Sequence, residues 1–255
     1  MKPQITRRTI LGHVGLASLA IAPLANAAEA EHRDDKAPLN IVVAGGHPGD
    51  PEAGCGGTIA KYTSAGHNVT CLYLTRGQAG MHGKSPREAG DIRTAEAESA
   101  CKILKARALF AAQMDGATEV TPARYQEFTK LLAPLKPDIV LTQWPIDTHL
   151  DHRACAALTL GAWSALGKSF ALYFYEVDLG SDTQCYRPTD FVDVTAFESL
   201  KRQACMAHAS QNPAGFYLKD HVPMLRFRGM EFGCKFAEAF VHHDQSPPEK
   251  SIVQF

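Results

Sequence analysis

Strand-like and helix-like segments alternate along most of this chain, and this alternation constrains its fold more than any other feature. Five short apolar runs, rich in β-branched or aromatic residues, are separated by longer segments with helical spacing. These predicted strands span residues 39–44, 68–75, 108–111, 138–142 and 170–176. Apolar strands separated by helices are typical of a parallel sheet with both faces covered. The sequence therefore predicts a single α/β domain with a Rossmann-like, mostly parallel sheet and helices on both faces.

Apolar periodicity and capping residues predict the helices and one more strand. The predicted helices span 54–65, 91–104, 122–132, 153–165, 195–208 and 232–240, and a further strand spans 191–194. Asp91, Thr121 and Thr195 are the expected N-caps, since short polar side chains accept hydrogen bonds from the first turn of a helix. The glycine-rich stretch 76–90 is expected to be a mobile loop over the carboxyl end of the sheet.

The first 27 residues have the pattern of an export signal. Arg7 and Arg8 form a twin-arginine pair, an apolar run covers 10–24, and the small residues Ala25-Asn26-Ala27 follow it. The apolar run is shorter than the roughly 20 residues that a membrane-spanning helix needs. We therefore expect a cleaved Tat-type signal peptide at 1–27, a linker at 28–38 and one domain at 39–255. The expected partner is the Tat export machinery, and the expected location is the periplasm or the exterior.

The charge balance excludes several classes of partner. The chain has 26 basic and 27 acidic side chains, and removal of residues 1–27 would take away three basic residues and no acidic one. The remaining domain would carry a formal charge of −4. Without a basic surface we expect neither nucleic-acid binding nor stable insertion into an anionic membrane.

The cysteines follow no metal-binding or redox pattern. There are seven of them, an odd number, and no two are arranged as Cys-x-x-Cys. Most are expected to be small buried hydrophobic residues. One or two disulfides in an exported protein remain compatible with the sequence.

Two short polar motifs follow the first and fourth predicted strands. GHPGDPE occupies 46–52, and HLDH occupies 149–152. In the common Rossmann strand order these two strands are neighbours, and ligands bind beyond their carboxyl ends. His47, Asp50 and His152 would then form a set of two imidazoles and one carboxylate. Such a set binds zinc and leaves one coordination position open for catalysis. His149 can face the same cleft and donate to an oxyanion or a leaving amine.

A nucleotide-dependent, sugar-modifying enzyme is a second interpretation of the same sheet. It is weaker, because the glycines at 45–49 and 54–57 do not match the dinucleotide pattern G-x-G-x-x-G. Arg76 also stands after the second strand, where an acidic residue would be expected to hold a ribose.

Several segments of the chain resemble the PIG-L/LmbE-like family of zinc-dependent deacetylases, which remove acyl groups from N-acylated sugars. The two motifs above are similar to the family's A-H-P-D-D-(P)-E and H-x-D-H. Further similarities cover nearly the whole predicted domain and lie at LTRGQAG (74–80), IRTAE (92–96), HASQ (208–211) and the segment 233–240.

The resemblance implies an N-acetylated sugar or glycoconjugate as substrate and Zn²⁺ as cofactor, with Fe²⁺ as a possible replacement. It also implies a role for each residue that matches a family motif. The implied metal ligands are His47, Asp50 and His152; His149 would stabilise the tetrahedral intermediate, and Asp151 would orient a histidine.

Two arginines are candidates for substrate binding under the same resemblance. Arg93 matches the family position that reaches the sugar, and Arg76 is a second candidate. Either arginine could instead pair with Glu96 or Glu88.

The chain departs from the family pattern at Gly49, where the family has an aspartate that acts as general base. Loss of a positioned base typically costs about 10²–10⁴ in rate. Three outcomes stay open. Another carboxylate takes the proton, with Asp151, Asp147, Glu52 and Glu176 as candidates. The substrate needs less help or carries its own base. Or the protein is a metal-containing carbohydrate-binding protein without turnover.

Overall fold

The structure is a computed structural model that describes residues 37–177, 182–247 and 252. Within it the compact unit begins at Pro38. The predicted signal peptide, 1–27, and most of the predicted linker lie outside the described residues, so those boundaries stay predictions.

Seven strands form the sheet of this unit. Their bounds are β1 Asn40–Gly45, β2 Asn68–Thr75, β3 Arg107–Gln113, β4 Ile139–Gln143, β5 Ala171–Tyr175, β6 Asp190–Asp193 and β7 Ala237–His242. The sheet order is β3-β2-β1-β4-β5-β7-β6. Strands β1 to β5 are mutually parallel, and β7 runs antiparallel to both β5 and β6. The predicted mostly parallel sheet is confirmed.

Helices cover both faces of this sheet. Their bounds are α1 Asp50–Ser64, α2 Pro86–Ile103, α3 Pro122–Leu132, α4 Leu150–Ala165, α5 Glu198–Met206, α6 Pro213–Phe216 and α7 Val222–Phe232. Alternate residues of β1 face opposite cores, because side chains of a strand point to alternate faces. Ile41 and Val43 pack with α1, α2 and α5 in one cluster, whereas Val42 and Ala44 pack with α3 and α4 in the other.

The adjacency of β1 and β4 is the feature that positions the functional residues. Ile41, Val42 and Val43 pair in register with Ile139, Val140 and Leu141. The loops that follow these two strands therefore open at the same edge of the sheet, as the Rossmann order predicts.

Three helices begin earlier than the sequence pattern predicts. Helix α1 begins at Asp50, and α4 begins at Leu150 with His149 as its N-cap. The α2 helix begins at Pro86, where Ser85 and Glu88 form a reciprocal capping box. Asp91 thus lies inside α2 and does not cap it, and the loop after β2 is shorter than predicted. Periodicity misses these first turns because they mix charged residues with proline, alanine and a single leucine and show no apolar repeat.

The predicted helix at 232–240 is wrong. Helix α7 ends at Phe232, where Gly233 adopts a left-handed φ of +88°, a common helix stop. The following residues form β7 between β5 and β6. Its Glu238 looks like a helix residue in sequence but is buried, where it accepts hydrogen bonds from Lys201 Nζ at 2.6 Å and from Gly57 N at 2.8 Å. These long-range partners stabilise a charged residue in a central strand.

The glycines of α1 permit a close approach to the sheet. A Cβ built on Gly54 would lie 2.3 Å from Tyr175 Cδ2, and one on Gly57 would lie 2.5 Å from Val194 Cβ. These glycines are therefore packing positions, and the rejection of a dinucleotide loop at this point agrees with the structure.

All seven cysteines lie in the described ranges and are free thiols; five of them, Cys55, Cys71, Cys101, Cys155 and Cys205, are buried. The predicted role as small buried hydrophobic residues is thus confirmed for most of them. Among the described residues, no helix has the length and apolar character needed to traverse a bilayer.

Candidate metal centre

The three predicted metal ligands meet at the edge of the sheet beyond β1 and β4. His47 lies in the loop after β1, Asp50 is the first residue of α1, and His152 lies in the first turn of α4. Asp50 Oδ2 is 3.2 Å from His47 Nδ1 and 3.4 Å from His152 Nε2. In a tetrahedral zinc shell with bonds of about 2.0–2.1 Å, neighbouring ligand atoms lie roughly 3.3 Å apart. The donor types and spacings of this trio fit a catalytic zinc ion.

Other side chains at this edge also come within range of one ion. His149 joins His47 and His152 in a group whose ligand atoms all lie within 4.8 Å of one another, and Asp115 and Asp151 form a similar group with His47. His47 is shared by both groups. The centre is therefore rich in ligand atoms and in negative charge.

Gln143 at the end of β4 holds the bend that carries His47 and Asp50. Its Nε2 donates to Asp50 Oδ2 at 3.0 Å, and its Oε1 accepts from Gly46 N at 2.8 Å. Burial by itself would raise the pKa of Asp50, but positive charge on His152 and His47 outweighs it and lowers the pKa below its usual range. Sequence reasoning missed Gln143; a polar residue that ends an apolar strand was the available signal.

Carboxylates stand behind both histidines. His47 Nε2 lies 3.0 Å from Asp151 Oδ2 and 3.1 Å from Asp115 Oδ1, which leaves Nδ1 for the side of Asp50. His152 Nδ1 lies 3.2 Å from Asp147 Oδ1, a distance for electrostatic attraction although the two groups are out of line for a hydrogen bond. Partners of this kind fix the ring orientation of metal-binding histidines. The sequence anticipated such a role for Asp151 and missed Asp147 and Asp115 in it.

Asp151 is locked in place by three donors. Besides His47, its carboxylate accepts from Gly116 N at 2.8 Å and from Thr118 Oγ1 at 2.7 Å. Burial would raise the pKa of Asp151, but the hydrogen bonds from His47, Thr118 and Gly116 outweigh it and lower the pKa below the usual range. Burial likewise would lower the pKa of His47, and the neighbouring carboxylates, Asp50 first, raise it instead. The field of these acids attracts positive charge to the centre.

His149 is positioned as a neutral hydrogen-bond donor. Its ring stacks on His152 with centroids 4.6 Å apart, and its Nδ1 accepts from Asp151 N at 3.2 Å. Burial, followed by positive charge on His47 and His152, lowers the pKa of His149 below its usual value. In the neutral ring an accepting Nδ1 places the proton on Nε2. Since His149 lines the cavity, that N–H is available to a bound molecule.

Arg93 is buried between two glycine backbones. A Cβ on Gly77 or Gly80 would lie 2.3 or 2.4 Å from Arg93 Nη1. Its Nη2 donates to Pro48 O at 2.7 Å, so the arginine ties the loop after β2 to the loop that carries His47. Arg93 also lines the cavity, and the predicted substrate contact stays a prediction.

Arg76 lies in a different setting. Its Nη2 donates to Asp91 Oδ1 at 2.7 Å and its Nε to Thr94 Oγ1 at 2.8 Å, and it is not among the described residues that line the cavity. The alternative pairing of an arginine with Glu88 or Glu96 is wrong. Glu88 belongs to the capping box of α2, and Glu96 accepts from Ser210 N and Oγ, both at 2.7 Å. A substrate contact by Arg76 stays a prediction that this geometry does not favour.

A cavity of about 650 Å³ opens over the centre. One wall is polar and includes His47, Asp50, Arg93 and Asp115. The opposite wall is apolar in part, with contributions from Ala53, Val177, Cys205, Phe216 and Tyr217. This volume accommodates a sugar-sized molecule.

Gly49 is the N-cap of α1 and has a φ of +109°, a conformation that side chains rarely adopt. The four carboxylates considered as substitutes for an aspartate here are all engaged elsewhere. Asp151 and Asp147 stand behind the histidines, Glu52 accepts from Tyr73 Oη at 2.6 Å, and Glu176 forms a bidentate pair with Arg228. None of the four is among the described residues that line the cavity.

His208 is a cavity-lining residue whose importance sequence reasoning missed. It is the first residue of the HASQ segment. Two hydrogen bonds hold this segment in place: Ser210 N donates to Glu96 of α2, and Gln211 Nε2 donates to Gly80 O at 3.3 Å. The segment stood out in the sequence only as a family-like motif. Its position beside Gly49 depends on the packing of α5 against α1, which no local pattern reveals.

The chain matches known proteins over the part that builds this centre. The model of the PIG-L family, described as GlcNAc-PI de-N-acetylase, matches residues 42–163, which include both histidine motifs. The diacetylchitobiose deacetylase of Thermococcus kodakarensis is 32% identical over 185 residues, which cover 66% of this chain and 68% of that protein.

Solved structures share the fold. A conserved protein of Thermus thermophilus superposes with a TM-score of 0.70 at 28% identity, covering 80% of this chain and 94% of its own. The N,N′-diacetylchitobiose deacetylase of Pyrococcus horikoshii, solved with an inhibitor, has a TM-score of 0.70 at 24% identity and covers 82% and 86%. These matches, together with the histidine and aspartate centre, show that the chain belongs to the PIG-L/LmbE-like family of N-deacetylases.

Proposed function

We propose that this protein is a metal-dependent hydrolase that removes the acetyl group from an N-acetylated sugar or sugar conjugate. The observation that carries the proposal is the placement of Asp50 Oδ2 within 3.4 Å of both His47 Nδ1 and His152 Nε2 at the cavity. The diacetylchitobiose deacetylase that this chain resembles supports the substrate class. The products are acetate and the free amine.

Zinc is the proposed metal, held by His47, Asp50 and His152. Two neutral imidazoles and one carboxylate are a zinc set, and Fe²⁺ is the alternative that the same ligands accept. When bound, the metal would supply Lewis-acid polarisation of the amide carbonyl and of a water molecule.

The side chains of the protein orient these groups and handle the protons. Asp151 holds the ring of His47, and Asp147 holds the ring of His152. His47 Nδ1 and His152 Nε2 therefore face Asp50. The Nε2–H of His149 donates to the oxygen that becomes negative as the tetrahedral intermediate forms. Arg93 keeps the His47 loop against the wall of the cavity through Pro48 O.

The described site favours turnover over the alternative of a carbohydrate-binding protein without activity. Apart from the carboxylate missing at Gly49, every side chain that the family resemblance places at the centre is present and lies near the cavity.

The test is amine release from a panel of N-acetylated mono- and disaccharides by the zinc-loaded protein, beside a chelated sample. We expect release that the chelator abolishes and that re-added zinc restores. Release that is indifferent to the chelator would contradict a metal-dependent reaction. No release from any substrate, with one equivalent of zinc bound, would favour the binding protein.

We further propose export through the Tat pathway, with residues 1–27 as the signal and the periplasm or exterior as the destination. The twin arginines Arg7 and Arg8 and the small residues before Ala28 support it. Replacing both arginines by lysine should retain the precursor in the cytoplasm, as fractionation would show. Export of that variant at the normal rate would contradict a Tat route.

A further inference from the structure

The position of the missing aspartate is faced by a histidine. A Cβ built on Gly49 would lie 3.9 Å from Cγ and Cδ2 of His208 and 4.0 Å from its Nδ1. These are the nearest atoms apart from Gly49 itself and its chain neighbours Pro48 and Asp50, so no other side chain of the described residues stands closer. The Cβ of an aspartate at this position would be in van der Waals contact with the imidazole.

His208 is buried without hydrogen-bond partners. Its residue is 3% exposed, and neither ring nitrogen has a partner among the described residues. An unpartnered buried polar group costs stability, and such groups are retained where they serve a function. His208 also lines the cavity over the metal centre.

A buried carboxylate stands behind this ring. Glu52 Oε1 lies 3.5 Å from His208 Nε2 and is itself held by Tyr73 Oη at 2.6 Å. A carboxylate at one ring nitrogen favours the proton there and stabilises the imidazolium that forms when the other nitrogen accepts a second proton. Nδ1, which would lie 4.0 Å from a Cβ on Gly49, is left to accept that proton.

We infer that His208 is the general base that takes the place of the aspartate missing at Gly49, with Glu52 as its positioning residue. This inference rests on the proposed amide hydrolysis. His208 Nδ1 accepts a proton from water as the water oxygen forms a bond to the acyl carbon and the carbonyl π electrons move to oxygen. The proton then passes to the amide nitrogen as the electrons on oxygen re-form the carbonyl and the C–N bond breaks, which gives the amine and acetic acid, and the acid then ionises to acetate in solution.

Two other acids that are not metal ligands line the cavity, and both are less suitable: Asp182, whose Oδ1 accepts from Thr148 Oγ1 at 3.0 Å, and Asp115. Asp115 Oδ1 lies 3.1 Å from His47 Nε2, on the side of the ring away from Asp50, and its Oδ2 accepts from Ala79 N at 2.9 Å. Asp115 is thus occupied in orienting His47. His208 is the group that faces the vacated position.

The first test is His208→Gln, which keeps a polar side chain but cannot take up a proton. We expect retention of fold and one equivalent of zinc, a fall in kcat of about 10²–10⁴ and loss of the acidic limb of the pH profile. His67→Gln, at the opposite edge of the sheet, is the control and should change kcat by less than about twofold. If His208→Gln does not fold, Glu52→Gln is the deciding variant. Removal of the Glu52 carboxylate should shift the acidic limb of the pH profile if Glu52 positions the base, whereas a merely structural role would leave that limb unchanged.

The second test restores a carboxylate. Gly49→Asp in the His208→Gln background should raise kcat at least about tenfold above that of His208→Gln alone. Gly49→Ala in the same background should leave kcat unchanged. A readout independent of turnover comes from unfolding. Gly49→Asp should lower the melting temperature less when His208 is present than when it is Gln, because the carboxylate and imidazole then face each other. Gly49→Ala should lower it equally in both backgrounds.

The outcomes separate this inference from the proposed function. Amine release by the wild type, with His208→Gln unchanged in rate and pH profile, would overturn the inference and leave the function standing. An inactive wild type that gains activity through Gly49→Asp would also overturn it, because the base would then be absent. Inactivity of both proteins on every substrate would overturn the proposed function and the inference with it.

Discussion

The two walls of the cavity differ in origin and in how closely their residues are constrained. The polar wall comes from the loops after β1, β3 and β4, from the starts of α1 and α4 and from α2, within the residues 42–163 that match the family model. The opposite wall comes largely from 177–221, outside that match, and combines apolar side chains with the polar Asp182, His208, Gln211 and His221.

This difference separates the metal centre from the apolar side chains of the lining. On the polar wall the ligand and carboxylate atoms have defined partners at 2.7–3.4 Å, so small changes would disturb the metal centre. On the other wall Phe216 is 41% exposed, and its contacts leave room for change. We expect substitutions on the first wall to abolish turnover and substitutions of apolar residues on the second to alter substrate preference.

The largest effect is expected from the loss of a ligand on the polar wall. His152→Ala should remove the metal and nearly all turnover while the protein stays folded, because a site of three ligands does not hold zinc well with two. Metal content and circular dichroism measure the two consequences. A variant that keeps a full equivalent of metal would show that His152 is not a ligand.

A smaller effect is expected from the carboxylate behind a ligand. Asp147→Asn should weaken metal affinity by about 10–100-fold, because the side chain then ceases to attract and orient His152. Competition with a chelator of known affinity measures it. Asp190→Asn, on the edge strand β6, is the control; equal affinities in both variants would contradict an orienting role for Asp147.

Substitutions of apolar residues on the opposite wall should change substrate specificity. Phe216→Ala should change the ratio of kcat/KM for a small N-acetylated monosaccharide to kcat/KM for a larger conjugate by about tenfold. The kcat for the monosaccharide should stay within about twofold of the wild-type value. The reason is that Phe216 lines the cavity but belongs neither to the metal ligands nor to the carboxylates behind them. A fall in kcat equal for both substrates would break the proposed division between the walls.

The smallest effect concerns stability at the boundary of the two walls. Gly49→Ala should destabilise the fold by about 1–2 kcal/mol, since its φ of +109° is unfavourable for a side chain. Urea denaturation of the metal-free protein measures it. Gly66→Ala, at a φ of +89° in a turn with open space, is a reference for strain alone. A Gly49→Ala variant as stable as the wild type would mean that the loop relaxes.

The sequence by itself determined the parallel strands β1 to β5 and the ligands of the metal centre. The strand at 68–75 and the helix at 122–132 have the predicted bounds, and His47, Asp50 and His152 meet where the strand order requires. These features depend on local periodicity, on caps such as Thr121 and on a general rule about parallel sheets. The strand and the helix are each encoded within one segment, and the strand-order rule then brings the two histidine motifs together.

The tertiary structure decided which polar side chains meet. His208 lies beside Gly49, and Asp147 stands behind His152 rather than serving as a base. Glu238 occupies a strand because Lys201 and the backbone of α1 surround its carboxylate. Such groups are far apart in the chain, and a buried charge is stable only where its partner is brought to it. Periodicity records burial but not the identity of that partner, so only the packed fold reveals it.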